Sequence, residues 1–474
     1  MRLVRGCAAG GVGALVFYPF MSATPASLAP GRFRWTICGL LFCSVALNYI
    51  DRNIIGILKQ PLSDELRWSE TDYAHIASAF QMAYAFGYLF GGRAVDRLGV
   101  KRGLPWFVAL WSLAAAGHGL VSLLAPELKV NIDLTWLGAS APWVLPATVL
   151  GFMSARVALG LTEGGNFPAA IKTVAEWFPV KERALATGVF NAGTNVGAIL
   201  CPIVVPWIYS HLGWATTFYI TGALGVVWLA LWGWLYEAPE IHPRLSAAEL
   251  DYIRSGVVPV EEAKVRVSWF SLLRYRAVWA YLAASVLAGP VWGIYMFYFP
   301  DFMHKTFKLE LAEVGKWTAV FYFFASVGGV TGGWLAGRLL NLGWSVNKAR
   351  KTTLLICAAA VVPICLAPHA PSALVAVLIV GLAGSAHQGW SANLFSVVSD
   401  TMPKQAISST VGLGGFVCFM TGAVVAEIIG LVLQKTGSYS LIFAAASLLY
   451  LVSLGIVQAL VPRIGVAPAR PDPN

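Results

Sequence analysis

The 474-residue chain is 58% hydrophobic and only 12% charged, with a mean hydropathy of +0.69, whereas a soluble domain carries about 25% charged residues. So few charges cannot wet the surface of a protein this size, which excludes an ordinary soluble enzyme; the unbroken apolar runs exclude an outer-membrane barrel, whose strands alternate polar and apolar residues. The net charge of +10 lies in short connectors with no interleaved base-stacking aromatics, so it marks membrane topology and not a nucleic-acid partner.

Taken in order, the chain opens with Arg2 and Arg5 before a moderately apolar run ending near Ser22 and Ala26, which resembles a signal peptide. A cleaved signal would leave the new terminus outside, against the charge distribution below, so the reading is a start at Met21 with an extension before it. Twelve apolar stretches follow, at 35–57, 73–95, 103–124, 147–170, 184–209, 214–236, 277–300, 313–337, 352–368, 373–398, 406–432 and 439–461. Each is close to the roughly 20 residues a membrane helix needs. The longest polar break, 237–276, divides them six plus six.

The predicted architecture is an all-α membrane protein with two pseudo-symmetric six-helix bundles. Its parts are an extension (1–34), a first bundle (35–236), a linker (237–276), a second bundle (277–461) and a tail (462–474). Of the 33 Lys and Arg, 24 fall before the first stretch, in every second connector after it or, for Arg93, at the adjoining end of the second stretch, and 6 fall on the opposite side. The positive-inside rule then puts both termini and the linker on the cytoplasmic side of the membrane. The halves also repeat each other: residues 91–102 read G-G-R-A-V-D-R-L-G-V-K-R after the second stretch, and 332–340 read G-G-W-L-A-G-R-L-L after the eighth. Such duplication is a transporter signature.

Ionisable residues inside apolar stretches are costly and mark function. The first stretch holds Asp51 and Arg52 in N-Y-I-D-R, and the fourth holds Arg156 and Glu163. Neighbours on a helix point about 100° apart, so Asp51 and Arg52 serve different partners; Arg156 and Glu163, two turns apart, share a face. The plainer alternative, interhelical salt bridges alone, does not require four such groups on two helices. The seven cysteines (Cys7, Cys38, Cys43, Cys201, Cys357, Cys365, Cys418) lack metal-ligand spacing and read as packing residues. The scattered histidines form no H-x-x-x-H pair, so neither a metal site nor an enzyme is expected.

Residues 92–102 match the pattern G-x-x-x-D-R-x-G-x-K/R, through Gly92, Asp96, Arg97, Gly99 and Lys101. This is similar to the signature between the second and third helices of the major facilitator superfamily. In that reading Asp96 accepts hydrogen bonds from basic groups or from a neighbouring helix N-terminus, a latch that breaks in one conformation. Gly337 stands where the second copy would carry the carboxylate. Residues 48–52 (N-Y-I-D-R), 155–168 (A-R-V-A-L-G-L-T-E-G-G-N-F-P) and 171–183 (I-K-T-V-A-E-W-F-P-V-K-E-R) resemble the anion:cation symporter family of that superfamily. Residues 184–198, with 387–395 (H-Q-G-W-S-A-N-L-F), look most like its bacterial hexuronate (galacturonate and glucuronate) transporters. The resemblance covers about 33–462.

The resemblance implies the following roles. Asp51 and Glu163 are the protonatable carboxylates that couple protons to a sugar-acid anion. Arg52 meets the substrate carboxylate, and Arg156 partners a carboxylate and serves the gate. Tyr49, Tyr84, Thr194, Asn195, Gln388, Trp390, Ser391 and Asn393 line the sugar pocket. The proton gradient is the coupling ion and no cofactor is implied; the partners are the sugar acid, protons and lipid, and the protein is expected to be a monomer. The chemistry agrees, since a hexuronate needs one desolvated cation with amides, hydroxyls and an aromatic face. Against this stand bland readings: Trp390 as packing, Ser391 and Asn393 as interhelical bonds, and His118 and His387 as structural. Trp292, Trp317 and Trp334 are read as packing, while Glu427 and Lys316 receive no role. The alternative function is symport of another organic anion (galactonate, glucarate or an aromatic acid). A more distant one is a membrane sensor on the same fold, which the short tail after 461 disfavours.

Overall fold

A computed structural model describes residues 31–133, 143–255, 269–402 and 404–465. The Met21 start and the end of the tail lie outside the described residues, as does the side chain of Asp96. All twelve predicted stretches fall on helix. In the first half these are α1 (Phe33–Ile57), α3 (Glu70–Leu98), α4 (Val100–Leu120), α5 (Ala147–Glu163) with α6 (Asn166–Trp177), and α7 (Val180–Leu235), with a short α2 (Lys59–Leu66) after α1. A linker helix α8 (Ala247–Arg254) and a turn α9 (Trp269–Leu272) lead to the second half. That half holds α10 (Arg276–Phe297), α11 (Phe299–Phe307), α12 (Leu311–Asn341), α13 (Val346–Val361), α14 (Ala373–Thr401), α15 (Lys404–Thr436) and α16 (Ser440–Leu460). Among the described residues, nine helices are long and apolar enough to cross a membrane by length and composition.

Glycine sets several boundaries. Gly99 (φ 72°) separates α3 from α4, and Gly213 (φ 78°) breaks the long α7 run between the fifth and sixth predicted stretches. Both need the positive φ that other residues resist. The structure departs from the predicted spans in three places. The fourth stretch is two helices, α5 and α6, meeting at Gly164 and Gly165, so Glu163 ends a helix instead of lying within one. The seventh runs past 300 as α11, which starts at a Phe299-Pro300 step where proline tolerates the first helical turn. The connector before α5 contains a hairpin of β1 (Lys129–Ile132) and β2 (Trp143–Pro146), with Lys129 opposite Pro146, which apolar periodicity on four-residue strands could not reveal.

Close helix contacts repeat between the halves. A Cβ on Gly87 would lie 2.6 Å from the Leu161 carbonyl oxygen, and one on Gly91 2.6 Å from Gly165 Cα. At the corresponding places in the second half, Cβ atoms on Gly328 and Gly332 would lie 2.2 Å from Ser385 and 2.3 Å from Gly389. Two i, i+4 glycine pairs thus seat α3 on α5 and α12 on α14, the backbone-to-backbone packing that lipid-embedded helices use. Gly193 and Gly197 of α7 seat on the carbonyls of Phe42 and Ala46 in the same way, fixing α1. The linker helix is fastened to the first half: Glu249 accepts from the backbone N–H groups of Phe33 (3.3 Å) and Arg34 (3.2 Å) and from the Arg34 guanidinium (3.1 Å). A carboxylate there caps the leading amides of α1.

Candidate functional site

The face where the described chain begins and ends is here called the terminal face, and the opposite one the far face. Towards the far end of α1, Asn48, Tyr49, Arg52 and Asn53 fall on adjoining sides of successive turns. The Arg52 guanidinium donates to Glu163 Oε2 through Nη2 (3.1 Å) and Nε (3.3 Å), and to Asn48 Oδ1 (3.0 Å). Arg52 and Glu163 are 6% and 0% exposed at their side chains. Three rings frame the guanidinium, with centroids at 4.3 Å for Tyr84, 4.9 Å for Tyr49 and 5.5 Å for Phe80. Planar arginine suits both the carboxylate and the aromatic faces, which lysine would not. The break after α5 leaves Glu163 free to reach α1, and its second oxygen Oε1 has no hydrogen-bond partner.

The sequence reading brings Arg52, Glu163, Tyr49 and Tyr84 together, and the structure does the same. Asp51 lies on another side of α1, as the 100° rule requires: it is 3% exposed, turned towards Thr221 within the first half, and its Oδ1 has no partner. Asp51 therefore adjoins the cluster within charge range of Glu163 and Arg156 but is not in its polar contacts. Arg156 differs from expectation. Its three guanidinium nitrogens have no hydrogen-bond partner, and it lies 5.5 Å from the Phe80 ring. The carboxylate on its own helix face is taken by Arg52, which reaches it across from α1.

In the second half, Gln388 and Ser391 are half-buried on α14. Trp390 is 1% exposed with its ring 5.4 Å from Tyr450, and Asn393 donates to the carbonyls of Gly332 (3.0 Å) and Gly389 (2.9 Å). Both side chains are buried in the packing of the second half. Thr194 donates to the Asn191 carbonyl of its own helix (2.8 Å), and Asn195 is half-buried beside it. His387 bonds the Tyr450 hydroxyl (2.5 Å) and stacks on Trp292 (5.0 Å), and His118 bonds the Ala114 carbonyl (2.8 Å). Among the residues expected to serve the gate, Gly92 is half-buried against Pro168, Arg97 is exposed and Gly99 makes the turn. Lys101 pairs with Glu237 at the head of the linker, within its own half. That pairing holds the Glu237 carboxyl below the usual carboxylate range.

Several residues were missed. Tyr322 of α12 donates to Asn53 Oδ1 (2.5 Å), and Gln81 of α3 donates to the Gly422 carbonyl of α15 (3.0 Å). Both bonds join the two halves, and the first lies next to Arg52. Asn53 had a legible signal, lying one turn beyond Tyr49 and next to Arg52; Tyr322 and Gln81 had none, because only tertiary packing brings α12 and α15 to this place. Glu427 pairs with His75 (2.7 Å), again between the halves.

The profile of the Major Facilitator Superfamily matches residues 41–427. The chain belongs to this superfamily. It is 28% identical over 441 residues to the hexuronate transporter of Escherichia coli (strain K12), covering 92% of this chain and 96% of that one. It is 32% identical over 304 residues to the galacturonate transporter of Dickeya chrysanthemi, covering 64% and 81%. The structure of a D-xylose-proton symporter superposes with a TM-score of 0.69 at 15% identity over 91% of this chain and 98% of that one, which shows the fold. This superfamily member is thus a multi-pass membrane transporter of small molecules and not an enzyme.

Proposed function

We propose that the protein imports a hexuronate anion, galacturonate or glucuronate, together with protons by alternating access across the bacterial inner membrane, with both termini in the cytoplasm. The observation that carries this reading is the buried Arg52–Glu163 pair (3.1 Å) framed by Tyr49 and Tyr84. A buried guanidinium already bound to a carboxylate meets a second carboxylate only if the first is neutralised. A proton on Glu163 removes its charge and frees Arg52 for the sugar acid, so proton and anion enter as one event. Asp51, within charge range of Glu163, takes the second proton and removes a competing negative charge from the same region. In this reading Tyr84, Tyr49, Asn48, Gln388 and Ser391 meet the hydroxyls, and Thr194 and Asn195 also line the sugar pocket.

The similarity to two uronate transporters supports this substrate class. The test is uptake of labelled galacturonate into proteoliposomes under an inward proton gradient. Accumulation that collapses with a protonophore supports the proposal. Competition by galactonate or glucarate that exceeds competition by both uronates replaces the hexuronate by that acid.

A further inference from the structure

Four charged side chains from both halves meet at the far face, and none of them belongs to the Arg52 cluster. Lys59 of α2 is 2% exposed, and its Nζ lies 2.7 Å from Glu70 Oε2 on α3 and 2.6 Å from Asp301 Oδ2 on α11. Lys305, one turn after Asp301, lies 3.2 Å from Asp301 Oδ2 and also bonds Glu70. The Tyr439 hydroxyl at the start of α16 donates to Asp301. The Lys59 ammonium sits over the rings of Tyr73 (4.9 Å) and Tyr298 (5.3 Å). Around this group the halves approach backbone to backbone: a Cβ on Gly56 would lie 2.4 Å from the Met296 carbonyl oxygen, and one on Gly315 2.0 Å from that of Pro202.

The arrangement of signs distinguishes this group from fixed packing. Each half supplies one cation and one anion: Lys59 and Glu70 from the first, Lys305 and Asp301 from the second. In contact they form a closed ring of four pairs, two within halves and two across. When the halves separate, the cross pairs Lys59–Asp301 and Lys305–Glu70 break, yet Lys59–Glu70 and Lys305–Asp301 survive, so neither half is left with an uncompensated charge. A buried ion pair contributes little net stability, whereas a lone buried charge is strongly unfavourable. Only a ring partitioned in this way can open and close without that penalty.

We infer that Lys59, Glu70, Asp301, Lys305 and Tyr439 form a reversible ionic latch that closes the far face of the transporter. This inference rests on the alternating-access reading above. The latch lies on the face opposite the Asp96 motif, so the two faces carry separate closures.

The test uses the full chain with its cysteines replaced and spin labels at Asp64→Cys and Glu310→Cys, exposed positions on opposite halves that border the far-face depression beside Asp301. Double electron–electron resonance in nanodiscs reads the ratio of long to short label separations. Asp301→Asn leaves three charges with a net positive one, so that ratio should rise by about tenfold. Tyr439→Phe removes one hydroxyl donor and should raise it about two- to fivefold. Adding Lys59→Met to Asp301→Asn restores neutrality through the remaining Lys305–Glu70 pair and should return the ratio most of the way. A merely structural cluster would lower thermal stability in all three variants without moving the separations, and unchanged separations in folded Asp301→Asn and Tyr439→Phe overturn the latch. Failure to carry uronates with the label shifts intact removes the substrate proposal alone.

Discussion

Replacing Glu163 by Gln perturbs the one contact on which coupling depends. In the wild type Arg52 gives two hydrogen bonds to a single oxygen of Glu163, at 3.1 and 3.3 Å, with both side chains nearly fully buried. An incoming carboxylate must displace them. A hydrogen bond to a charged group contributes about 1.5–3 kcal/mol and a neutral one about 0.5–1.5 kcal/mol. Since both bonds share one acceptor, Gln should hold Arg52 less tightly by about 1–2 kcal/mol, which is about 5- to 30-fold in affinity. Galacturonate should therefore bind E163Q more tightly at pH 7.5 than the wild type, measured by titration calorimetry. The wild type should approach the variant as pH falls, because protonation and amidation remove the same charge, while the variant stays flat. In proteoliposomes E163Q should exchange labelled for unlabelled uronate but fail to accumulate it against a gradient. Uphill accumulation by E163Q at the wild-type level, or affinities with the same pH dependence in both proteins, would refute the coupling role of this pair.

Arg52→Lys keeps the charge but loses the planar fork and the stacking on Tyr84 and Tyr49, and should weaken uronate binding by about a hundredfold, read by the same calorimetry. Tyr84→Phe retains the ring at 4.3 Å from the guanidinium and should cost under tenfold, whereas Tyr84→Ala removes a cation–π contact of about 0.5–2 kcal/mol and should cost more. Glu249→Ala strips the cap from α1 and the partner from Arg34, and should lower the melting temperature in detergent by the equivalent of about 1–2 kcal/mol with little change in affinity. At the far face, burial pushes the Asp301 carboxyl up, but Lys59 and Lys305 outweigh it and hold it below the usual range; burial pushes Lys305 down, but Asp301 and Glu70 outweigh it and raise it. The Asp301 contribution is thus present above the ordinary aspartate value and lost only as pH falls through its lower value. That of Lys305 is present below the ordinary lysine value and lost only as pH rises through its higher one. With His75 and His304 replaced by Gln, label separations should coincide from about pH 5 to about pH 9; opening at pH 5.5 would contradict this assignment.

What the sequence determined by itself is what repeats along one helix or is driven by transfer to lipid. Apolar length placed all twelve helical stretches, and the 100° step between residues already separated Asp51 from Arg52. The Gly99 turn and the membrane burial of Arg52 and Glu163 were equally legible, because a charge inside an apolar run is conspicuous wherever the chain folds. Tertiary structure decided partnership. Glu163 pairs with Arg52 and not Arg156 because the α5 break at Gly164 presents it to α1, and no spacing rule reports that. Trp390 and Asn393 turn inward because Gly332 and Gly389 bring α12 within backbone contact of α14. The far-face ring was invisible for the same reason: Lys59, Glu70, Asp301 and Lys305 lie at helix ends where charge is ordinary, and they acquire meaning only when the two halves bring them within hydrogen-bonding distance.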